Sequence, residues 1–347
     1  MNTKISRRNF IKQAVAVGII ASAPDKSLAD TTNKAGLDRY KPKELPTVLF
    51  GKTGVRIPRI VLGLGSRFCH IDTDEEAVDM LNFALDHGFY YWDTADSYDN
   101  TIAIPPGKKK AARLVVSEER VGEVVKYRRK EIFLCTKLSP RNPDEVMKQL
   151  DISLKRLHTD RLDMLMIHDV HSLDDNATLL QKGGLVDILH RLKEEKVTRF
   201  IGFSGHASAE ALKDMAEKGD FDALLMAMNH WGGDKEKREE GVIPCALGKN
   251  MGVLLMKAVR PRETVSNVKV PDLIRYALSI EGPHAVTIGM DSIDVVKSNI
   301  EILKDYVPMN EEEKQKMAYI LTPFFLHQNL PWMQNNYIDG HWGKFSM

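Results

Sequence analysis

Cysteine is scarce in this sequence: Cys69, Cys135 and Cys245 are the only three among 347 residues. They are far apart and form no C-x-x-C pair, so neither a disulfide framework nor a cysteine-based zinc or iron–sulfur site is indicated. We therefore expect three free thiols and no bound metal. Cys135 lies inside an apolar run and should be a small buried side chain.

An excess of charge of either sign is also absent, since 49 basic and 48 acidic residues give a formal net charge of +1. Five of the basic residues and one acid fall within residues 1–29, so the rest of the chain is slightly acidic. A slightly acidic body argues against electrostatic binding to nucleic acid. Hydrophobic residues make up 43% of the chain, which is enough to fill a sizeable core.

Residues 1–29 have the layout of an export signal. Arg7 and Arg8 precede Phe10 and Lys12, and a largely apolar stretch follows at 14–23. That stretch is too short to cross a bilayer as a helix, and the small residues at 27–29 suit cleavage before residue 30. The pattern resembles a twin-arginine (Tat) signal peptide. It implies export by the Tat machinery to the periplasm or beyond, without a stable membrane span; a basic amphipathic tail is the alternative.

After a polar linker at 30–46, short apolar runs alternate with helical patterns, which is typical of β/α units and a parallel sheet. The predicted strands are 59–64, 89–92, 131–136, 162–167, 198–203, 221–228, 252–256 and 284–288. Predicted helices include 74–87, 143–157, 209–218 and 293–303, with Thr73, Ser117 and Ser208 as N-caps of three helices. We predict an α/β fold, a (β/α)8 or TIM barrel over 47–308, followed by a C-terminal helix and aromatic tail over 309–347.

A Rossmann domain is the rival fold, because Gly63 and Gly65 follow a strand and Asp93 ends the next one. However, Phe68 occupies the third glycine position of that fingerprint. The next helical pattern begins only near Asp74, whereas a Rossmann helix opens directly at the glycines. The closed barrel is therefore the favoured prediction.

Four polar residues lie at or just beyond the ends of successive predicted strands, where (β/α)8 barrels carry their catalytic groups. Asp93 follows the second strand, Lys137 the third and His168 the fourth, with Tyr98 shortly after Asp93. Each alone has an ordinary structural explanation, such as a turn cap or a solvated strand end. Their matching positions predict a single site, although the insertion at 99–116, rich in Pro, Gly and Lys, could cover that site or displace Tyr98.

This set of residues suits the reduction of a carbonyl by hydride, which leaves an alkoxide that needs a proton. A tyrosine phenol, with an ordinary pKa of about 10, donates poorly near neutrality. A neighbouring ammonium such as Lys137 favours the phenolate, and Asp93 would hold that ammonium in place. His168 would orient the substrate oxygen toward Tyr98.

The same segments resemble those of the aldo-keto reductase family. The shared motifs are D-T-A-x-x-Y at the second strand, T-K at the third and a histidine at the fourth, and the resemblance runs over roughly 46–305. It implies an NAD(P)-dependent oxidoreductase that acts in either direction on an aldehyde, ketone or sugar, with Tyr98 as general acid and base.

The resemblance also implies a cofactor site on six positions. These are Ser204 and Asn229 for the nicotinamide carboxamide, Lys257, Gly289 and Met290 for the phosphates, and Asn299 for adenine. A helix N-terminus near Gly289 would favour phosphate through its free N–H groups and its dipole.

Four positions depart from the family pattern. Gly205 stands where the family has asparagine, Leu225 where it has glutamine, Met256 where an aromatic stacks on nicotinamide, and Val295 where an arginine binds the 2′-phosphate of NADP. Lys297 is a candidate substitute for that arginine, so both NADP and NAD stay open as the cofactor.

Export creates a tension with this function, because an exported reductase meets no ready pool of reduced nicotinamide. Either the cofactor travels tightly bound, or redox turnover is lost. The alternative function is therefore an exported nucleotide- or partner-binding barrel that keeps Asp93, Tyr98, Lys137 and His168 without turnover.

Overall fold

The computed structural model describes residues 39–102, 113–206, 208–228, 236–263 and 265–326. The predicted signal peptide and residues 327–347 of the predicted tail lie outside these ranges. The end of the predicted linker is described, and there Tyr40 and Leu45 are buried. The Tyr40 ring stacks on Tyr90 with centroids 5.1 Å apart. The residues directly before the barrel are thus packed against it.

The described strands are numbered in chain order. They are β1 (Thr47–Leu49), β2 (Arg56–Pro58), β3 (Ile60–Gly63), β4 (Tyr91–Asp93), β5 (Asp99–Ile102), β6 (Arg113–Val116), β7 (Phe133–Leu138), β8 (Leu162–Ile167), β9 (Thr198–Gly205), β10 (Ala223–Ala227), β11 (Gly252–Met256) and β12 (Ala285–Gly289). Within the described residues, eight of these strands close into a barrel in the order β10-β11-β12-β3-β4-β7-β8-β9. Neighbouring strands of the barrel run parallel to each other.

The described α-helices are likewise numbered in chain order. They are α1 (Ser66–Cys69), α2 (Asp74–Asp86), α3 (Ser117–Arg128), α4 (Pro143–Arg156), α5 (Leu173–Leu180), α6 (Leu185–Glu194), α7 (Ala209–Lys218), α8 (Val242–Gly248), α9 (Val270–Ser279), α10 (Ile293–Lys304) and α11 (Glu311–Leu326). Short 3₁₀ helices span Gly51–Thr53, Arg129–Glu131 and Arg260–Glu263. The predicted (β/α)8 barrel is confirmed, and its closure rules out the open sheet of a Rossmann domain.

Local sequence explains where several helices begin. Thr73 forms a capping box with Glu76 at the start of α2, and the Ser208 hydroxyl accepts from the Ala211 N–H at the start of α7. Such caps satisfy backbone N–H groups that the first helical turn leaves unpaired. The predicted caps Thr73 and Ser208 are confirmed.

The predicted cap at Ser117 is wrong, because α3 begins one residue earlier than the sequence suggests. Val116 occupies the N-cap position, and no side chain caps the helix there. The Ser117 hydroxyl instead donates to Leu64 O at 2.6 Å and lies 2.8 Å from Thr94 Oγ1. Ser117 therefore ties α3 to the segments that follow β3 and β4.

The two ends of the insertion after Tyr98 form a pair of antiparallel strands. Strand β5 pairs antiparallel with β6, from Asp99 opposite Val116 to Ile102 opposite Arg113. Residues 103–112, which include the three lysines at 108–110, lie outside the described residues. In the part of the insertion that the structure describes, β5 and β6 pair between the end of the β4 segment and the start of α3.

The predicted C-terminal helix is present as α11, with Met317, Leu321 and Phe324 buried. Among the residues that the structure describes, no helix is both long enough and apolar enough to cross a membrane.

Candidate active site

Parallel strand register brings the predicted residues to one mouth of the barrel. Asp93 is the last residue of β4, Lys137 is the penultimate residue of β7, and His168 directly follows β8. Asp93 pairs with Cys135 across β4 and β7, and Lys137 pairs with Met166 across β7 and β8. Because the three strands run in the same direction, their carboxyl ends meet on the same side.

Lys137 connects two of the other residues. Its Nζ donates to Asp93 Oδ2 at 2.9 Å, to Thr94 O at 2.9 Å and to Tyr98 OH at 3.2 Å. The Lys137 and Asp93 side chains are only 1% and 3% exposed. An ammonium has three hydrogens, so these contacts fix its position. The phenol oxygen of Tyr98 accepts from a cation, which electrostatically favours the loss of its own proton.

Tyr98 is held in place from several sides. Its carbonyl accepts from Ser117 N at 2.9 Å, which closes the base of the β5–β6 hairpin. Its ring packs against Gly65, where a Cβ would lie 3.5 Å from the ring. The insertion therefore does not displace Tyr98 from the site.

His168 completes the group. Its ring centroid is 5.4 Å from that of Tyr98, and the two rings are nearly perpendicular, at 83°. Its Nδ1 lies 3.1 Å from Ser97 Oγ and 3.2 Å from Ser139 Oγ, and 3.9 Å from Asp96 Oδ1. The structure thus brings together Asp93, Tyr98, Lys137 and His168, as the sequence predicts.

Asp96, Ser97 and Ser139 were not among the residues singled out from the sequence. Burial acts to raise the pKa of Asp96, but hydrogen bonding and the charge of His168, together with two hydrogen bonds from Ser139, hold it below the ordinary value. Asp96 and Ser97 stand between Asp93 and Tyr98 in the D-T-A-D-S-Y segment. Their position directly after a predicted barrel strand was the sequence feature that could have identified them as site residues.

A second buried carboxyl lies behind the site. Glu118, near the start of α3, accepts from Thr136 Oγ1 at 2.7 Å and faces Arg156 Nη1 at 3.6 Å. Burial raises the pKa of Glu118 to about 7, against the lowering effect of its hydrogen bonds. This group therefore titrates near neutrality without touching the central cleft.

The barrel mouth opens into a cleft of about 670 Å³, a volume that includes space open to solvent. Asp93 and Tyr98, which are buried, border its inner end, and the more exposed cationic residues Arg67, Lys257 and Arg260 border its outer part. Backbone of the three glycines Gly63, Gly65 and Gly289 also lines the cleft. Such a cleft suits a ligand with an uncharged reacting end and an anionic remainder, since opposite charges attract across a partly enclosed space.

The predicted phosphate residues lie in and behind this cleft. Lys257 and Gly289 line it, whereas the Met290 side chain is fully buried. Lys257 adopts a φ of 63°, a left-handed conformation that is unfavourable for a residue with a side chain and that often occurs at functional sites. Helix α10 begins at Ile293 behind a Ser292 cap, and the guanidinium of Arg67 pairs with Asp291 at 2.9 Å.

The other predicted cofactor residues have separate surroundings. Ser204 is fully buried, and its hydroxyl accepts from Asp169 N at 3.1 Å and donates to Ile167 O at 3.3 Å. Asn299 is 3% exposed and donates to Val295 O. Asn229 lies outside the described residues.

One of the departures from the family pattern, Gly205, has a steric reason. A Cβ at Gly205 would lie 2.6 Å from Leu212 Cδ2 and 2.9 Å from Val170 O, so no asparagine fits there. Met256 borders the cleft and is 6% exposed. Lys297 pairs with Asp294 at 3.4 Å on the surface of α10.

The residues present fit a dinucleotide, because buried polar atoms without hydrogen-bond partners remain at the predicted site. They are Asp93 Oδ1 and Thr287 Oγ1, whose residues border the cleft, and Asn299 Oδ1 at the position predicted to contact adenine. A buried polar atom without a partner costs free energy, so these atoms are suited to hydroxyl or amino groups of a ligand.

The described part of the chain contains no group of three or more His, Cys, Asp or Glu residues placed to hold a metal ion. All three cysteines are free thiols, and Cys69 and Cys135 are buried.

Comparison with known proteins gives consistent matches. The model of the aldo/keto reductase family matches residues 59–261. The chain is 25% identical to an L-galactose dehydrogenase of Arabidopsis thaliana over 81% of this chain and 95% of that protein. It is 29% identical to the aldo-keto reductase yakc [NADP(+)] of Schizosaccharomyces pombe over 60% of each chain.

Solved structures resemble the fold. The holo form of aldo-keto reductase AKR11C1 from Bacillus halodurans has a TM-score of 0.62 at 21% identity, covering 80% of this chain and 96% of that one. An aldo-keto reductase from Klebsiella pneumoniae in complex with NADPH has a TM-score of 0.61 at 20% identity, covering 86% and 99%.

Fold and site together define an oxidoreductase barrel, with Tyr98 at the inner end of a cationic cleft. The family model covers more than half of the sequence, and the chain belongs to the aldo/keto reductase family. It is thus an NAD(P)-dependent oxidoreductase.

Proposed function

We propose that the protein interconverts a small carbonyl compound and its alcohol, with Tyr98 as general acid in reduction and general base in oxidation. The observation that carries this proposal is the chain of contacts from Asp93 through Lys137 to the Tyr98 hydroxyl, with distances of 2.9 and 3.2 Å. It stands at the inner end of a cleft whose outer part is cationic.

When bound in the cleft, the nicotinamide would supply the hydride for reduction of a carbonyl carbon. The Tyr98 phenol gives its proton to the carbonyl oxygen as negative charge develops there. The ammonium of Lys137 stabilises the resulting phenolate, and solvent returns the proton. His168 lies beside Tyr98 and orients the substrate oxygen. In oxidation the same atoms exchange the proton in reverse.

The residues of the site would bind the cofactor through positive charges and through a side-chain hydrogen-bond acceptor. Arg67, Lys257 and Arg260 supply positive charge for the phosphates, and Asn299 offers an amide oxygen for an amino group. Both NADP and NAD are compatible with this arrangement. The Ser204 hydroxyl donates to Ile167 O and accepts from Asp169 N, which leaves one lone pair to accept from an N–H of the carboxamide.

The substrate class that we favour is an aldose or a related small hydroxy-carbonyl compound. Support comes from the L-galactose dehydrogenase, which matches this chain over 95% of its own length, and from the L-glyceraldehyde 3-phosphate reductase of Escherichia coli, which is 26% identical over 48% of this chain. A useful panel therefore contains L-galactose for oxidation and glyceraldehyde and methylglyoxal for reduction.

The decisive experiment compares two tyrosine variants in the full chain. Tyr98→Phe should lower kcat by about 10²–10⁴, the usual range for a general acid, while tryptophan quenching by NADPH or NADH stays near normal. Tyr91→Phe is the matched control, because Tyr91 is fully buried and is not among the residues that line the cleft. It should retain activity. If the wild type and Tyr98→Phe both bind the cofactor but are equally inactive on every substrate, the result would instead support a nucleotide-binding barrel without turnover.

The proposed location is the periplasm, reached by the Tat route with residues 1–29 as the signal. The support is the sequence pattern of Arg7 and Arg8 before an apolar stretch. Because that route carries folded proteins, the cofactor can travel bound to the barrel. In a Tat-competent host, the wild type should enter the periplasmic fraction and the variant Arg7→Lys/Arg8→Lys should stay in the cytoplasm. Equal export of both proteins contradicts the proposal.

A further inference from the structure

Asp96 lies close to His168, yet the proposed mechanism gives it no role. Its side chain is 4% exposed, and that of His168 is 3% exposed. Asp96 is tied to the end of β7 by its own N–H, which donates to Lys137 O at 3.1 Å. Its two carboxylate oxygens accept from Ser139, Oδ1 from the hydroxyl at 2.7 Å and Oδ2 from the backbone N–H at 2.9 Å. Asp96 is therefore a fixed carboxylate and not a mobile surface charge.

The hydrogens of this network can be assigned by counting donors. A serine hydroxyl has one hydrogen, and an ionised carboxylate only accepts. The Ser139 hydrogen therefore points to Asp96 at 2.7 Å. At its 3.2 Å contact with His168 Nδ1, the same oxygen has only lone pairs to offer, so a hydrogen bond between these two atoms takes its hydrogen from Nδ1. The Ser97 hydroxyl, 3.1 Å from the same nitrogen, can accept that hydrogen as well. Asp96 thus sets which ring nitrogen of His168 is protonated, through Ser139.

The charge of Asp96 has a second effect on the imidazole. With Nδ1 protonated, a neutral His168 has an accepting Nε2, whereas the imidazolium has a donating Nε2–H. Tyr98 supplies the proton, and a second donor at Nε2 orients the carbonyl oxygen toward it; with Nδ1 protonated, the imidazolium is the form of His168 that has this donor. A buried carboxylate whose oxygen lies 3.9 Å from Nδ1 stabilises that cation, since the two charges are shielded from solvent.

We propose that Asp96 is a positioning residue: acting through the Ser139 hydroxyl, it keeps a hydrogen on His168 Nδ1 and stabilises the imidazolium, so that Nε2–H serves the substrate oxygen during carbonyl reduction. The site then contains two carboxylate–cation pairs, in which Asp93 stabilises the ammonium of Lys137 and Asp96 stabilises the imidazolium of His168. This inference rests on the proposed reductase activity, and wild-type turnover is therefore measured first.

Other charged groups surround the pair, and a pH experiment has to separate their effects. They are Tyr98 and Lys137 across the cleft mouth, Asp169 next to His168 and paired with His206, Arg141 bound to His168 O, Arg156 bound to Asp96 O, and Glu118 behind Asp96. Glu118 is the group among them with a pKa raised to about 7. The variant Glu118→Gln is therefore the matched control, because it removes a buried carboxyl that does not contact His168.

The test is the pH profile of kcat for glyceraldehyde reduction in the full chain with saturating NADPH or NADH. In Asp96→Asn, the limb at which activity falls with rising pH should move down by about one pH unit, which an opposite charge at this distance typically causes. At pH values above that limb, kcat should fall about tenfold, with KM and cofactor affinity changed less than threefold. Ser139→Ala should shift the limb in the same direction, whereas Glu118→Gln should leave it in place.

Repeating the Asp96→Asn substitution in the His168→Gln variant distinguishes an effect through His168 from a purely structural effect. In His168→Gln, the limb should be absent and Asp96→Asn should cause no further loss of kcat. If Asp96→Asn lowers kcat equally in both backgrounds, or leaves the limb unmoved, Asp96 does not act through His168 and the inference is overturned. Normal cofactor quenching by each variant shows that it is folded. An inactive wild type that binds cofactor contradicts the proposed function itself, which is a different outcome.

Discussion

Replacing Lys137 with methionine is the strongest test of how the centre of the site is built. The ammonium of Lys137 donates three hydrogen bonds, one of them to the carboxylate of Asp93 at 2.9 Å. Methionine has a similar length but no charge and no hydrogen. The Lys137→Met variant therefore leaves the Asp93 carboxylate buried without its cation, while the surrounding strands keep their packing.

The expected magnitude follows from burial. The two side chains are 1% and 3% exposed, and removing one partner of a buried ion pair typically costs 3–5 kcal/mol. Asp93 borders the open cleft, where water can partly replace the ammonium, so we expect about 3 kcal/mol. A shift of roughly 2 °C per kcal/mol is usual for a large domain, which predicts a Tm about 6 °C lower.

A double variant separates the charge from the packing. In Asp93→Asn/Lys137→Met the orphaned charge is gone, and stability should recover by about 1.5 kcal/mol relative to Lys137→Met alone, a typical coupling for residues in contact. The assay is thermal and urea unfolding followed by circular dichroism, with kcat measured in parallel. Both variants should remain at least a hundredfold less active than wild type, because the Tyr98 phenolate loses its cation in each. A loss below about 1 kcal/mol in Lys137→Met, or strictly additive effects in the double variant, would refute this reasoning.

Two further predictions concern stability around the site. Burial raises the pKa of Glu118 from 4.5 to about 7, so the folded protein binds this proton more tightly than the unfolded chain does. The contribution of Glu118 to the free energy of unfolding should therefore fall by about 3 kcal/mol as pH rises from about 4.5 to about 7. Compared with Glu118→Gln, the wild type should therefore lose urea resistance across this range, and equal pH dependence of the two urea midpoints would disprove the assignment. A Cβ at Gly122 in α3 would lie only 2.0 Å from the backbone Arg156 O, whereas one at Gly248 in α8 would meet nothing within 4 Å. Gly122→Ala should thus cost about 1–3 kcal/mol and Gly248→Ala should stabilise by about 0.5–1 kcal/mol, and thermal unfolding that showed equal effects would contradict this contrast.

Several features of the fold were predictable because their causes are local. Strands β8 and β11 match their predicted bounds, and α7 does as well, since apolar periodicity and a serine cap mark them within a few residues. The Thr73 capping box needs only Thr73 and Glu76, three positions apart. The predicted cap at Ser117 failed for the opposite reason, because its hydroxyl is taken by Leu64 O, which lies 53 positions away in the chain.

Some residues of the candidate site could likewise be identified from the sequence, and others could not. Asp93, Tyr98, Lys137 and His168 were identified because each lies at or shortly after the end of a predicted strand and the family motifs include them. The role of Asp96 was hidden, because nothing in the D-T-A-D-S-Y segment shows that this carboxylate meets Ser139, which lies 43 positions further along the chain. The exclusion of a side chain at Gly205 was hidden as well, since Leu212 and Val170 O fill that space only after folding.

The sequence by itself determined the alternation of strands and helices, the residue types that the chemistry needs, and their order along the chain, because periodicity, capping and motif spacing act over short stretches. Tertiary structure alone decided the closure of the barrel, the 2.9 Å and 3.2 Å contacts of Lys137 with Asp93 and Tyr98, and the serine link between Asp96 and His168. These depend on strand register between distant segments, and a shift of one residue would turn each side chain away from the mouth of the barrel.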